Sequence, residues 1–185
     1  MRRRDAVKRL LSNRKNLLVV AGLGSTAWDC TAAGDSPLTF PMWGAMGQAA
    51  MMGLGLALAQ PKRRVLVITG DGEALMGMGA LATIGVQQPE NLTVVVIDNE
   101  RYGETGMQET HTAHGVDLAG VARSCGFKVF DLENLPNAIH KLPGPNFAAL
   151  KVKAEKIPLV LPPRDGALLK ARFRRALLGV KADAE

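Results

Sequence analysis

The sequence predicts an α/β domain, a doubly wound and mainly parallel sheet flanked by helices. Three observations predict it. The runs Arg64–Ile68 and Leu92–Ile97 are almost purely aliphatic, as strands buried on both faces are. Such runs alternate along the chain with stretches of helical periodicity. Aromatic residues make up only 4% of a chain that is 47% hydrophobic, so Val, Leu, Ile, Ala and eight Met must fill the core.

The elements follow in order. Residues 3–12 have helical periodicity, with Asp5 in the first turn. Leu17–Ala21 reads as a short strand, broken by Gly22, Gly24 and Ser25, and a helix follows to about Ala33. Phe40–Trp43 reads as a second short strand. Gly44–Gln60 has helical potential, and its glycines point to close packing. Arg64–Ile68, the turn Thr69–Gly72, a helix over Glu73–Gly85 and the strand Leu92–Ile97 form a βαβ unit. Residues 100–115 are polar and are expected to loop over the sheet edge. A helix over Asp117–Cys125, closed by Gly126, precedes a strand at Lys128–Phe130. A helix at Leu135–Lys141 and a strand at Phe147–Val152 complete the alternation. Pro158, Pro162 and Pro163 mark a linker before an amphipathic helix, Ala167–Leu178. One domain spanning residues 1–185 is expected, with a C-terminal extension from about residue 158.

Charge narrows the function. The net charge is +6, concentrated at the ends: Arg2, Arg3, Arg4, Lys8, Arg9, Arg14 and Lys15 face only Asp5 in the first stretch. No aromatic residues interleave these cations and no nucleic-acid motif accompanies them, so a solvated helical face or an acidic partner is expected. Cys30 and Cys125 lack metal-ligand spacing and are read as free thiols in a reducing cytoplasm. The apolar run Leu17–Leu23 is too short to span a membrane, and no cleavage pattern follows it.

In open parallel sheets, ligands sit at the carboxyl ends of strands. Two adjacent strand ends carry the oxygen ligands Asp71 and Asn99, 28 positions apart. With a nearby backbone carbonyl they form an oxygen-only site of the kind Mg²⁺ uses together with substrate phosphates. Gly70 and Gly72 allow a sharp turn, and a helix start at Glu73 offers free N–H groups to a phosphate. The residues therefore suggest a site for a Mg²⁺-bound diphosphate.

Gly70-Asp71-Gly72 followed by Asp98-Asn99 resembles the cofactor motif of thiamine-diphosphate-dependent enzymes. That family has Gly-Asp-Gly, then somewhat under thirty residues, then Asn-Asn; here Asp98 replaces the first Asn. The resemblance implies thiamine diphosphate and Mg²⁺ as cofactors, with Asp71, Asn99 and the carbonyl of Arg101 as metal ligands. Gly44-Ala45-Met46-Gly47 is similar to the family's pyrimidine-holding segment. It implies Met46 under the bent cofactor and the Gly44 carbonyl as acceptor for its amino group. Tyr102, Gly103 and Glu104, in a loop running to Gly106, would form a lid over the diphosphate, and Glu73 would stand beside it.

Complete enzymes of this family carry two related domains, and the second supplies a Glu to the aminopyrimidine. This chain has room for one. The resemblance, strongest to the sulfopyruvate and phosphonopyruvate decarboxylase branch, implies a separate subunit with the pyrimidine-binding domain. It further implies a hetero-oligomer with paired sites and decarboxylation of a small 2-oxo acid to an aldehyde. A subunit of a 2-oxo-acid oxidoreductase or carboligase, or a non-catalytic copy, are the rival readings; no iron–sulfur cysteine cluster is present.

Other residues are weighed beside these. Gly22–Ala27 matches the dinucleotide fingerprint G-x-G-x-x-A, but no acid stands at the end of the next strand, so a tight turn is expected. His111, His114, Glu104 and Thr105 are candidates for substrate contact or solvated loop residues. Met51, Met52, Met76 and Met78 are expected to fill core, Cys125 to be buried, and Glu73 to favour its helix start.

Overall fold

The computed structural model describes residues 1–131, 134–136 and 138–183. Six parallel strands form one sheet in the order β2-β1-β3-β4-β8-β7. These are β1 (Leu18–Ala21), β2 (Thr39–Pro41), β3 (Val65–Gly70), β4 (Leu92–Asp98), β7 (Lys128–Phe130) and β8 (Asn146–Lys151). A two-residue hairpin, β5 (Arg101–Tyr102) with β6 (Gln108–Glu109), stands apart from it.

The strands alternate sides with period two. Leu18, Val20, Val65, Val67, Val94 and Val96 enter one apolar core. Val19, Leu66, Ile68, Val95 and Ile97 enter the other. The first core packs under α3 (Ala49–Ala59), α5 (Gly79–Gln87), α6 (Leu118–Ser124) and α7 (Gly166–Leu178). The second packs under α1 (Arg3–Leu11) and α2 (Ser25–Ala32). Helices thus cover both faces, which is why β3 and β4 hold no exposed residue.

From β1 the chain goes outward to β2 through α2, then returns through α3 to β3 on the other side of β1. The strand order therefore reverses between β1 and β3, and the crevice beyond their carboxyl ends is where this architecture binds ligands.

Several boundaries differ from those expected. The helix expected over Glu73–Gly85 is two helices, α4 (Asp71–Met76) and α5, broken at Gly77 and Met78. A Cβ on Gly77 would stand 1.9 Å from the Gly47 carbonyl oxygen, so the break is where a distant loop crosses. That loop is the reason Gly44–Gln60 is helical only from Ala49: Ala45 (φ 56) and Gly47 (φ 92) are left-handed. The second strand is Thr39–Pro41, not Phe40–Trp43. Within residues 100–115 lie the hairpin and a 3-10 turn, His111–His114. At Leu135–Lys141 the described residues hold a 3-10 turn, Ile139–Lys141; position 137 of that expected helix lies outside the described residues. The C-terminal helix returns to the sheet, with Phe173 edge-to-face on Phe40 at 5.7 Å and Trp43 Nε1 donating to the Pro163 carbonyl at 2.8 Å. Among the described residues no helix is long and apolar enough to cross a membrane.

Candidate cofactor site

A cavity of about 360 Å³ opens at the switch point. The turn after β3 gives it Gly70, Asp71, Gly72 and Glu73, and the end of β4 gives Ile97 and Asn99. The loop after β1 gives Leu23, Ser25 and Thr26, and the hairpin gives Arg101 to Thr105. Met46 and Met76 add an apolar side. Of the residues expected to hold the cofactor and its metal, all but Gly44 wall this cavity; Gly44 lies exposed outside it.

Asp71 is the most constrained group. It is 1% exposed. Its Oδ2 accepts from the Thr110 hydroxyl at 2.5 Å, and its Oδ1 takes the Asn99 N–H at 3.4 Å. Burial pushes its carboxyl above the ordinary aspartate range, the Thr110 hydrogen bond pulls it down, and Asp98 pushes it up again. Asp98 sits behind it, 3% exposed, accepting from Thr112 at 2.8 Å and pairing with Lys151 at 2.9 Å. Thr110 and Thr112 stand 2.9 Å apart, so two hydroxyls tie the carboxylates of two strand ends together. Asn99 Oδ1 accepts from the Arg101 N–H at 3.1 Å, a closed turn that fixes the amide. Lys151 already neutralises Asp98, so among the described residues Asp71 is the buried carboxylate without a cationic partner, and a cation beside it would be favourable.

The glycines have separate roles. A Cβ on Gly70 would meet open space, so its absence leaves the cavity clear. A Cβ on Gly72 would lie 2.4 Å from the Tyr102 ring, so this glycine lets the hairpin close down. α4 begins at Asp71 rather than Glu73, and the amides of its first turn have no partner within the helix.

Glu73 does more than favour a helix start. It is 4% exposed, and its Oε2 accepts from the Leu23 N–H at 3.0 Å and the Thr69 hydroxyl at 2.8 Å. Its Oε1 is buried without a hydrogen-bond partner among the described residues, and the Gly47 and Ala49 amides pull the carboxyl down. Burial raises its carboxyl despite these donors. Through Oε2 it pins the β1–α2 loop against the β3 turn, and Gly22 must lack a side chain, since a Cβ would lie 2.0 Å from that oxygen.

The Gly22–Ala27 segment makes the expected tight turn between β1 and α2 and also walls the cavity, with Gly24 at φ +75 against the Glu104 side chain. His111 and His114 do not wall it; both are exposed, and His114 pairs with Glu109 at 3.0 Å. The working residues of that stretch are the flanking Thr110 and Thr112, which no sequence pattern marks. Met76 and Met78 are 64% and 39% exposed rather than core filling. Cys125 is half-buried, whereas Cys30 is buried; both are free. Among the basic residues read as a solvated face, Arg3 is 6% exposed and walls the cavity.

A switch-point cavity with a buried carboxylate, open amides at a helix start and an apolar side is the setting in which this architecture binds a phosphate-bearing cofactor. Residues 24–149 match the family "Thiamine pyrophosphate enzyme, C-terminal TPP binding domain", and the chain belongs to that family. It is 38% identical over 186 residues to "Sulfopyruvate decarboxylase subunit beta" of Methanothermobacter thermautotrophicus, covering 99% of both chains. It is 40% identical over 139 residues to "Phosphonopyruvate decarboxylase" of Streptomyces viridochromogenes, covering 72% of this chain and 34% of that one. The fold is that of benzoylformate decarboxylase from Polynucleobacter necessarius, with TM-score 0.69 and 19% identity, over 86% of this chain and 34% of that chain. The chain thus spans about a third of the single-chain relatives and the whole of a beta subunit.

Proposed function

We propose that this chain is the diphosphate-binding half of a split, thiamine-diphosphate-dependent 2-oxo-acid decarboxylase for an anionic substrate of the sulfopyruvate or phosphonopyruvate kind. The observation that carries the reading is the end-to-end similarity to a beta subunit, joined to the carboxylate–amide pair Asp71 and Asn99 at the cavity floor.

In this reading Asp71, Asn99 and the carbonyl of Arg101 hold Mg²⁺. Among the described residues no cluster of three His, Cys, Asp or Glu side chains suits a metal, and an all-oxygen set with one carboxylate is the kind Mg²⁺ accepts. The bound cofactor supplies the electron sink for the pair left as carbon dioxide departs. The chain's own part is placement and shielding. Thr110 and Thr112 fix Asp71 and Asp98, Glu73 fixes the β1–α2 loop, and the hairpin with Tyr102 to Glu104 covers the diphosphate. Met46 and Met76 keep the reacting end apolar, which strengthens electrostatic interactions there and keeps water out.

Met76 walls the cavity and is 64% exposed, so the apolar side is uncovered in the single chain. Covering it is the role assigned here to a separate subunit with the pyrimidine-binding domain and its Glu, in a hetero-oligomer with paired sites. Gly44, exposed beside that side, would meet the aminopyrimidine. The whole chain acts as one domain, the part from about residue 158 being an extension, and its free cysteines suit the cytoplasm.

The test is equilibrium binding of thiamine diphosphate to the assembled complex, with and without Mg²⁺, for the native chain and Asp71→Ala. Mg²⁺-dependent binding lost in the variant is expected. Equal binding by both proteins would overturn the assignment.

A further inference from the structure

Arg3 opens α1 and is almost wholly buried, its side chain 7% exposed. Its Nε donates to Oδ2 of Asp29, which is 0% exposed; the other oxygen of Asp29 takes Arg4 Nε at 3.0 Å. Two guanidinium groups therefore share one carboxylate and leave a surplus positive charge. The Arg4 side chain is 28% exposed and partly screened by water, whereas among the described residues the buried Arg3 has only this shared carboxylate, an arrangement that a further anion would stabilise. Among the described residues Asp29 is Arg3's only hydrogen-bond acceptor, which leaves Nη1 and Nη2 without one. A guanidinium donates through a rigid planar fork, and these two nitrogens form its bidentate edge.

The place of that edge identifies its ligand. A second cavity of about 350 Å³ lies under the segment 155–159 and shares Arg3, Ser25, Asn99, Gly103 and Glu104 with the first. Met46 and Met76 wall only the first. Arg3 thus stands at the end of the site where Asn99 and the lid lie, away from the apolar end. The acids nearby are not its partners. Glu104 feels Arg3 only at a distance, and burial raises its carboxyl; Glu155 pairs with Arg2 at 3.2 Å; Asp71 is taken by Thr110. Lys156 adds another cation to the second cavity.

We propose that Arg3, aimed by Asp29, is an oxyanion ligand of the site and grips a phosphate-class group, which at this end is the terminal phosphate of the cofactor. The proposal rests on the cofactor reading above. Asp29 is a positioning residue: it occupies Nε and turns the free edge toward the cavity.

The experiment measures thiamine diphosphate and thiamine monophosphate affinity of the assembled complex for the native chain, Arg3→Gln, Arg3→Lys and Arg4→Gln. Lysine keeps a cation against Asp29, so the fold is retained, but its single nitrogen cannot serve Asp29 and a phosphate as a fork does. Both Arg3 variants should bind the diphosphate about tenfold or more weakly, the order for a lost bidentate charge-assisted contact. Monophosphate affinity should be unchanged, and Arg4→Gln should alter neither. If diphosphate affinity holds but KM for an anionic 2-oxo acid rises about tenfold and KM for pyruvate does not, the oxyanion is the substrate head group and Arg3 remains its ligand. Folded Arg3 variants with native affinities and native KM would overturn the proposal. If the native complex takes up no thiamine diphosphate, the cofactor reading falls. Inorganic pyrophosphate with Mg²⁺ is then the probe, and binding indifferent to Arg3→Gln, or no binding, overturns the Arg3 assignment as well.

Discussion

Glu73→Ala tests how the site is held. Glu73 Oε2 accepts two hydrogen bonds, from the Leu23 N–H and the Thr69 hydroxyl, the latter on a residue 2% exposed. Hydrogen bonds to a charged acceptor contribute about 1.5–3 kcal/mol each, and a buried donor left unpaired costs about 1–3 kcal/mol. Removing a buried carboxylate returns part of this, since burial disfavours its charged form. The net expectation is a loss of about 2–3 kcal/mol at neutral pH. The assay is urea unfolding followed by the fluorescence of Trp28 and Trp43, with cofactor affinity measured in parallel. Affinity should fall too, because Leu23 to Thr26 lose the contact that pins them. The sign of the pH dependence is a second check. A carboxyl raised in the folded state takes up a proton there first, so the native chain gains stability from Glu73 as pH falls through the raised pKa toward the ordinary 4.5. The gap between native and variant should therefore widen on acidification in that window. A variant within about 0.5 kcal/mol of native, with native affinity, would refute the role given to Glu73.

Three further outcomes are expected. Asp71→Asn should stabilise the cofactor-free chain near neutral pH, because it removes a buried charge, yet weaken Mg²⁺-dependent cofactor binding by at least about 10–100-fold, already the cost of losing an outer ligand partner; melting temperature and titration calorimetry measure the two effects. Gly77→Ala should cost about 1–3 kcal/mol and shift the Met46 loop, because its Cβ would strike the Gly47 carbonyl at 1.9 Å; native stability would show that the crossing is not tight. Thiol labelling of the folded chain should modify Cys125 well before Cys30, whose thiol burial pushes up to about 12; equal rates would contradict the buried placement.

The parts legible in the sequence are those set by local pattern. The βαβ unit around β3 and β4 follows from unbroken aliphatic runs, and a strand end at each of Asp71 and Asn99 follows from where those runs stop. The cavity floor was therefore readable. What was not readable depends on contacts between distant segments. The break between α4 and α5 is imposed by Gly47, thirty residues upstream, on a stretch whose own periodicity is helical. Arg3 is buried because Asp29 lies opposite it on α2, and a run of arginines alone says only that charge is present. Thr110 and Thr112 matter through hydrogen bonds to Asp71 and Asp98, and nothing in a Thr-x-Thr spacing announces that. The Gly22–Ala27 turn carries a fingerprint that points to another cofactor class, and its place at the switch point is a matter of strand order.

The central claim is that this chain is catalytic only as half of a site. The most direct test is mixing. The purified chain, a purified partner of the pyrimidine-binding kind and the two together are each given thiamine diphosphate, Mg²⁺ and sulfopyruvate or phosphonopyruvate, and carbon dioxide and aldehyde are measured. Release by the mixture alone, without reduction of an added electron acceptor, is the predicted result. Turnover by this chain alone, or acceptor reduction in place of aldehyde release by the mixture, would contradict it.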